Sequence, residues 1–158
     1  MEIILGIDPG LHKTGWAIIA KHGRNNSKYI SSGLIQTDPR KLFYDRILHL
    51  DDELLKIISQ YLPKTCAIEE TYINSNAQSS LKLGQARGAI ILTLSKAGLN
   101  INEYASRLVK KTIVGVGMAE KEQIKKMVKL LLPNSDPKSE DEADAIAVAL
   151  CHSYHLKI

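Results

Sequence analysis

Three apolar runs fill the first 37 residues, "EIILGID", "TGWAIIAK" and "KYISSGLIQT", and only "PGLHK" and the polar turn "HGRNNS" separate them. Apolar runs bounded by Gly, Pro and Asn clusters read as strands. Parallel neighbours need a crossover of about a dozen residues or more, so these short connections force an antiparallel meander. The remainder alternates. From Asp38 to Leu62, after the turn signal "TDP", the residues Leu42, Phe43, Ile47, Leu50, Leu54, Ile57, Ile58 and Tyr61 recur at helical spacing. The strand "TCAIEE", the polar loop "YINSNAQSS" and a helix from about Ser79 to Ala97 follow. A short strand "INEYA" leads to a helix start at "SRLVKK". A glycine turn then feeds the basic helix in "GVGMAEKEQIKKMVKLLL", and the break "PNSDPKS" opens the last helix. A meander followed by strand–helix alternation predicts an α/β domain with a mixed five-stranded sheet flanked by helices.

The length of 158 residues suits one domain, 1–158. No run of about 18 apolar residues appears, and the N-terminus lacks the basic, apolar and small-residue regions of a leader, so a soluble cytoplasmic protein is expected. Cys66 and Cys151 lie in apolar segments without CxxC pairing and read as free buried thiols. The formal charge of +4 favours a polyanionic partner only mildly, since a lysine excess is common on proteins that bind none.

Asp8 ends the apolar strand "IILGID", and a carboxylate there is costly unless it is paired or holds a metal. Glu69 and Glu70 end "CAIEE" in the same way. Side chains alternate across a strand, so only one of these two can share the face of Asp8, and alternation alone does not say which. The last helix, "SEDEADAIAVALCHSY", opens with a capping box in which Ser139 accepts from the N–H three residues on and Glu142 reaches back. Asp141 and Asp144, three apart, share a helical face that continues into Val148 and Cys151 and so heads inward. Acids in a first turn also complement the helix dipole, which suits Glu140 and Glu142. Strand-end acids and helical acids converging from apolar surroundings repel one another unless cations sit among them. Oxygen-only ligation suits Mg²⁺ or Mn²⁺, and two such ions can clamp the attacking and leaving oxygens of a phosphate.

The segments "GIDPGLHKTGWA", "AIEETYINSNAQSSLKLGQARG", "EYASRLVKKTIVGVGMAEKEQI" and "EDEADAIAVA" match, in order and spacing, the motifs of the RuvC family of Holliday-junction resolvases, which the chain resembles over nearly its whole length. The resemblance implies an RNase H-like fold and a homodimer that resolves four-way junction DNA by paired nicks during recombination and repair. It implies Mg²⁺, two ions per site with Mn²⁺ able to substitute, held by Asp8, Glu69, Asp141 and Asp144. Tyr72 falls where the family has an aromatic that stacks on junction bases, and Lys110 and Lys121 fall on basic residues that approach phosphates near the metals. A branch-migration complex of the RuvA and RuvB type is the implied partner. The chain departs from some relatives in ending at "HSYHLKI", soon after the last helix.

Other motifs admit plainer readings. Gly115 and Gly117 suit either a phosphate approach or a simple turn. Lys121, Lys125 and Lys129 form a basic stripe that a solvated helix face would also show. Gly84 and Gly88 weaken a helix and read as points of close approach to another helix, internal or from a second subunit. The five histidines show no ligand spacing, so His12, His22, His49, His152 and His155 are expected at the surface or solvent edge. Two rival functions remain. An actin-like ATPase shares a strand-end "DPG" but does not explain Asp141 and Asp144, and a non-catalytic junction binder would not need the acids.

Overall fold

The computed structural model describes residues 1–23, 26–70 and 75–156. Five strands, β1 (Glu2–Asp8), β2 (Lys13–Lys21), β3 (Ser27–Gln36), β4 (Thr65–Glu69) and β5 (Asn100–Tyr104), form one sheet in the order β3-β2-β1-β4-β5. The first three pair antiparallel, as their short connections require, while β4 lies parallel to both β1 and β5. This is the mixed, RNase H-like sheet expected from the sequence. The helices are α1 (Phe43–Tyr61), α2 (Ala77–Lys96), α3 (Ser106–Val114), α4 (Lys121–Leu131) and α5 (Glu140–His155). Helix α1 starts later than its apolar periodicity suggested. Asp38 instead folds back in a turn, its carboxylate accepting the Arg40 backbone N–H at 2.9 Å, and the chain enters the helix only after that turn.

Strand alternation divides the core in two. Leu5, Ile7, Ile18, Cys66 and Ile68 point to one face, where Leu50, Leu54, Ile57 and Ile58 of α1 and Ala86, Ile90 and Leu94 of α2 cover them. Ile4, Ala17, Ile19 and Ala67 point to the other, beneath α5, with Val109 and Ile113 of α3 and Ile124 and Val128 of α4 packed around it. Helix α5 is buried along nearly its whole length from Glu142 to Ser153, which explains why it is apolar on all sides rather than along one stripe.

Two glycines let α5 settle so deeply. A Cβ on Gly6 of β1 would stand 2.2 Å from the carbonyl oxygen of Ala145, and one on Gly15 of β2 would stand 2.0 Å from that of Asp141. Any side chain at either position would lift the helix off the sheet. Gly15 is the cross-strand partner of Asp8, so the first turn of α5 presses on the sheet directly beside the acid that ends β1. Among the described residues no helix is long and apolar enough to cross a membrane, and both cysteines are free and buried.

Candidate active site

The face that carries Asp8 follows from its strand. Ile4 lies beneath α5, and residues alternate, so Gly6 and Asp8 face α5 as well. In β4 the residue facing α5 is Ala67, which puts Glu69, two residues on, on that face also. The ambiguity between Glu69 and Glu70 is thus resolved by register: Glu69 shares the face of Asp8. Glu70 leaves the strand, its backbone N–H donating to the Tyr104 carbonyl at 2.8 Å. Asp141 and Asp144 arrive from the first turns of α5, whose start is fixed by the Ser139 hydroxyl accepting the Glu142 N–H at 3.1 Å.

Asp8, Glu69, Asp141 and Asp144 all line one cavity of about 370 Å³ at the C-terminal ends of β1 and β4. Glu70, Ser106, Lys110 and Lys121 complete its polar wall, with Pro9, Leu83, Val109, Ile124 and Ala147 between them. Lys110 comes from α3 and Lys121 from the first residue of α4. Both lysines singled out in the sequence therefore meet the acids. Tyr72 lies outside the described residues.

The electrostatics of the cavity are unfavourable to its own acids. Burial, then the charges of Glu69, Asp144 and Asp141, push the Asp8 carboxyl up to about 8. Burial and Glu69 push Asp144 up to about 6. Lys121 opposes both shifts, but its ammonium is engaged elsewhere: Nζ donates to Glu140 Oε2 at 2.6 Å. That bond raises the lysine's own pKa, helped by the charges of Glu140, Asp144 and Asp141. Among the described residues no three His, Cys, Asp or Glu side chains are already gathered as a metal cage. The acids instead line a common cavity as an all-oxygen donor set whose mutual repulsion a hard divalent cation would relieve. The residues fit such an ion.

Some expectations need correction. His152 is not at the solvent edge but 2% exposed, because the last turns of α5 bury it against β4 and β5. Its Nε2 is hydrogen-bonded to the Thr65 hydroxyl at 2.9 Å and its Nδ1 to that of Tyr104 at 2.7 Å. Gly84 and Gly88 make no close approach to another helix among the described residues: a Cβ at either meets nothing within 4 Å there. Glu142 does more than answer a dipole. It is buried, and its carboxylate reaches back to accept from the Ser139 hydroxyl at 3.4 Å and across to accept from that of Ser32 at 3.0 Å. Gly115, with φ of +91°, ends α3 as a plain left-handed cap. Sequence reading missed Arg87, whose Nη1 donates to the Glu69 carbonyl at 2.6 Å, and Glu140 as the partner of Lys121. Neither pairing leaves a local signal, since residues 18 and 19 positions apart are brought together only by the fold.

Comparison with known proteins gives a consistent result. The family model described as crossover junction endodeoxyribonuclease RuvC matches residues 4–152. The protein of that name from Ruegeria pomeroyi is 49% identical over 152 residues, covering 96% of this chain and 91% of the relative. The one from Sphingopyxis alaskensis is 46% identical and covers 97% of both. Among solved structures, Thermus thermophilus RuvC in complex with Holliday junction substrate superimposes with a TM-score of 0.91 at 27% identity, covering 98% of this chain and 94% of that one. The yeast mitochondrial Holliday junction resolvase, at 11% identity and a TM-score of 0.68, shares the fold. With that match along nearly its whole length, and with acids from β1, β4 and α5 sharing one cavity, the chain belongs to the RuvC family of crossover junction endodeoxyribonucleases.

Proposed function

We propose that the protein is a Holliday junction resolvase whose whole chain, 1–158, is one nuclease domain, cutting four-way junction DNA by hydrolysis to leave 5′-phosphate and 3′-hydroxyl ends. The observation that carries this reading is the meeting of Asp8, Glu69, Asp141 and Asp144 with Lys110 and Lys121 around one cavity. The four acids hold the divalent ions, two Mg²⁺ with Mn²⁺ as a substitute. Bound there, such ions supply the Lewis acidity that phosphodiester hydrolysis needs. Lys121 exchanges Glu140 for a DNA phosphate and offsets charge that builds up on it, and Lys110 approaches the same strand. Tyr72 stacks on bases at the opened crossover.

Paired nicks on strands of like polarity require two sites, hence a homodimer. Helix α2 offers a surface for it: Leu81 and Leu92 are 63% and 56% exposed, and Gly84 and Gly88 lie between them on the same helical face. A second copy's helix can approach closely over those glycines. The branch-migration complex of RuvA and RuvB type is the expected functional partner, in the cytoplasm.

The test is incubation with a synthetic mobile junction and Mg²⁺, followed by mapping of the ends. Symmetric nicks with ligatable ends are expected, and junction should outcompete linear duplex at roughly physiological salt. Equal competition by duplex would favour a general nuclease. A Cβ at Gly84 or Gly88 meets nothing within 4 Å among the described residues, so replacing both by leucine should leave a variant that folds, sediments as a monomer and loses the pairing of nicks.

A further inference from the structure

Glu69 is the last residue of β4, and β1 accompanies that strand only as far as the Ile7–Ile68 pair. Its side chain enters a cavity where its charge helps push the carboxyls of Asp8 and Asp144 up, so repulsion acts on the least supported end of the strand. The peptide that joins Glu69 to Glu70 is nevertheless held from two sides. The Glu70 N–H donates to Tyr104, and the Glu69 carbonyl accepts from Arg87 Nη1 at 2.6 Å. The other arm of the same guanidinium, Nη2, lies 3.0 Å from Glu103 Oε2 on β5, and the Arg87 side chain is only 14% exposed. A guanidinium is a rigid planar fork, so anchoring one arm on Glu103 aims the other at the Glu69 carbonyl. Glu103 is the β5 partner of Ile68, so the fork spans the two strands at the edge of the cavity.

We propose that Arg87 is a positioning residue that, braced by Glu103, fixes the main chain of Glu69 and thereby the direction of its carboxylate, so that it sets the affinity of the site for divalent metal. The inference rests on the reading of Glu69 as a metal-holding acid. Lysine at 87 keeps the charge but has one ammonium in place of the fork, and it cannot hold both partners in the same plane.

The experiment compares Arg87→Lys, Glu103→Gln and Glu69→Gln in the full chain. Mn²⁺ binding is measured by calorimetry without DNA, Mg²⁺-dependent protection by thermal unfolding, and the Mg²⁺ dependence of cleavage by single turnover. Arg87→Lys should weaken metal binding about 10- to 100-fold, the usual consequence of losing support behind a ligand. It should leave junction binding without metal unchanged and regain most of its cleavage rate at high Mg²⁺. Glu103→Gln should shift the metal dependence the same way by less, with the metal-free unfolding midpoint held, and it carries the test if Arg87→Lys does not fold. Glu69→Gln should lose the metal response that the other two only displace. If Arg87→Lys and Glu103→Gln titrate like the wild type while Glu69→Gln does not, the positioning role is overturned and Glu69 keeps its own. Wild-type metal binding in Glu69→Gln would overturn both.

Discussion

The two ends of α5 are built on opposite principles. Its first turns bring Asp141 and Asp144 into the cavity of Asp8 and Glu69, four crowded acids beside Lys110 and a Lys121 already committed to Glu140. Its last turns bury a polar cluster in which each group is answered. Lys21, 2% exposed, donates to the carbonyls of Ser153 and Leu156, capping the helix where its dipole is negative. His152 bridges Thr65 and Tyr104, and the Thr65 hydroxyl is 3.0 Å from the Asn100 carbonyl. Burial, then the charges of Lys21 and His155, hold the His152 ring down at about 4, so it is neutral. One end stores repulsion that a bound cation would relieve, and the other holds its polar groups in pairs. The difference teaches that charge left unbalanced in a well-packed protein marks the working end of an element, while buried polarity that is fully paired marks its anchor.

The comparison breaks most sharply at Asp8. Asp8→Asn should reduce single-turnover cleavage by several orders of magnitude while leaving junction binding intact and raising the metal-free unfolding midpoint, because it removes a buried, repelled carboxyl that, on the function proposed above, holds metal. Wild-type nicking by this variant would end the assignment. At the anchored end, His152→Ala should cost about 3 kcal/mol in urea unfolding, from a core cavity and the Tyr104 hydroxyl left without its ring partner, since Thr65 keeps the Asn100 carbonyl, yet leave the cleavage rate of the folded fraction near wild type. A kinetic defect without a stability defect would erase the distinction between the ends.

Lys121→Ala should slow cleavage about 10²-fold on every junction, the scale of removing one electrostatic stabiliser of a transition state. Tyr72→Ala should instead be rescued by a junction with unpaired bases at its centre. Equal rescue of both would remove the stacking role.

The smallest effects are pH slopes of opposite sign. Without metal, native Asp8 keeps a proton up to about pH 8 that the unfolded chain sheds near 3.8, so stability rises as the pH falls from about 8. Native His152 takes no proton until about pH 4, whereas the unfolded ring takes one near 6.5, so the stability present above 6.5 is lost as the pH falls toward 4. Each group contributes at most about 1.4 kcal/mol per pH unit. In urea titrations from pH 8 to 4.5, Asp8→Asn should flatten the upper range and His152→Ala should steepen the gain below 6.5. Parallel curves for His152→Ala and wild type below 6.5 would mean that the ring is not held neutral.

Much of this site was legible because its signals are local. Asp8 and Glu69 each end an apolar run, and the spacing of Asp141 and Asp144 defines a helical face. The choice of Glu69 over Glu70 was not legible from alternation, because it depends on which β4 residue faces α5, a matter of register with β1. His152 was misplaced for a related reason: its burial comes from Tyr104 and Thr65, 48 and 87 residues away in sequence. Gly84 and Gly88 weaken a helix and suit close approach either within the chain or from a second subunit; among the described residues nothing approaches them, which leaves the second subunit. Arg87 sits in the quoted stretch "GQARG" between those glycines, where its reach across to β4 and β5 cannot be seen without the fold.

The seating of α5 on Gly6 and Gly15 also bears on when the enzyme can first act. Residues 8 and 69 are made before residues 141 and 144, and the helix that carries the later pair must cross both central strands before the four acids meet. Contacts between chain ends form late in folding because the loop they close is long. A nascent chain that has not yet made α5 would thus carry two of the four acids and none of the deep packing that aligns them. The arrangement of the four acids thus depends on the completed seating of α5 against both central strands, and not on the strands alone.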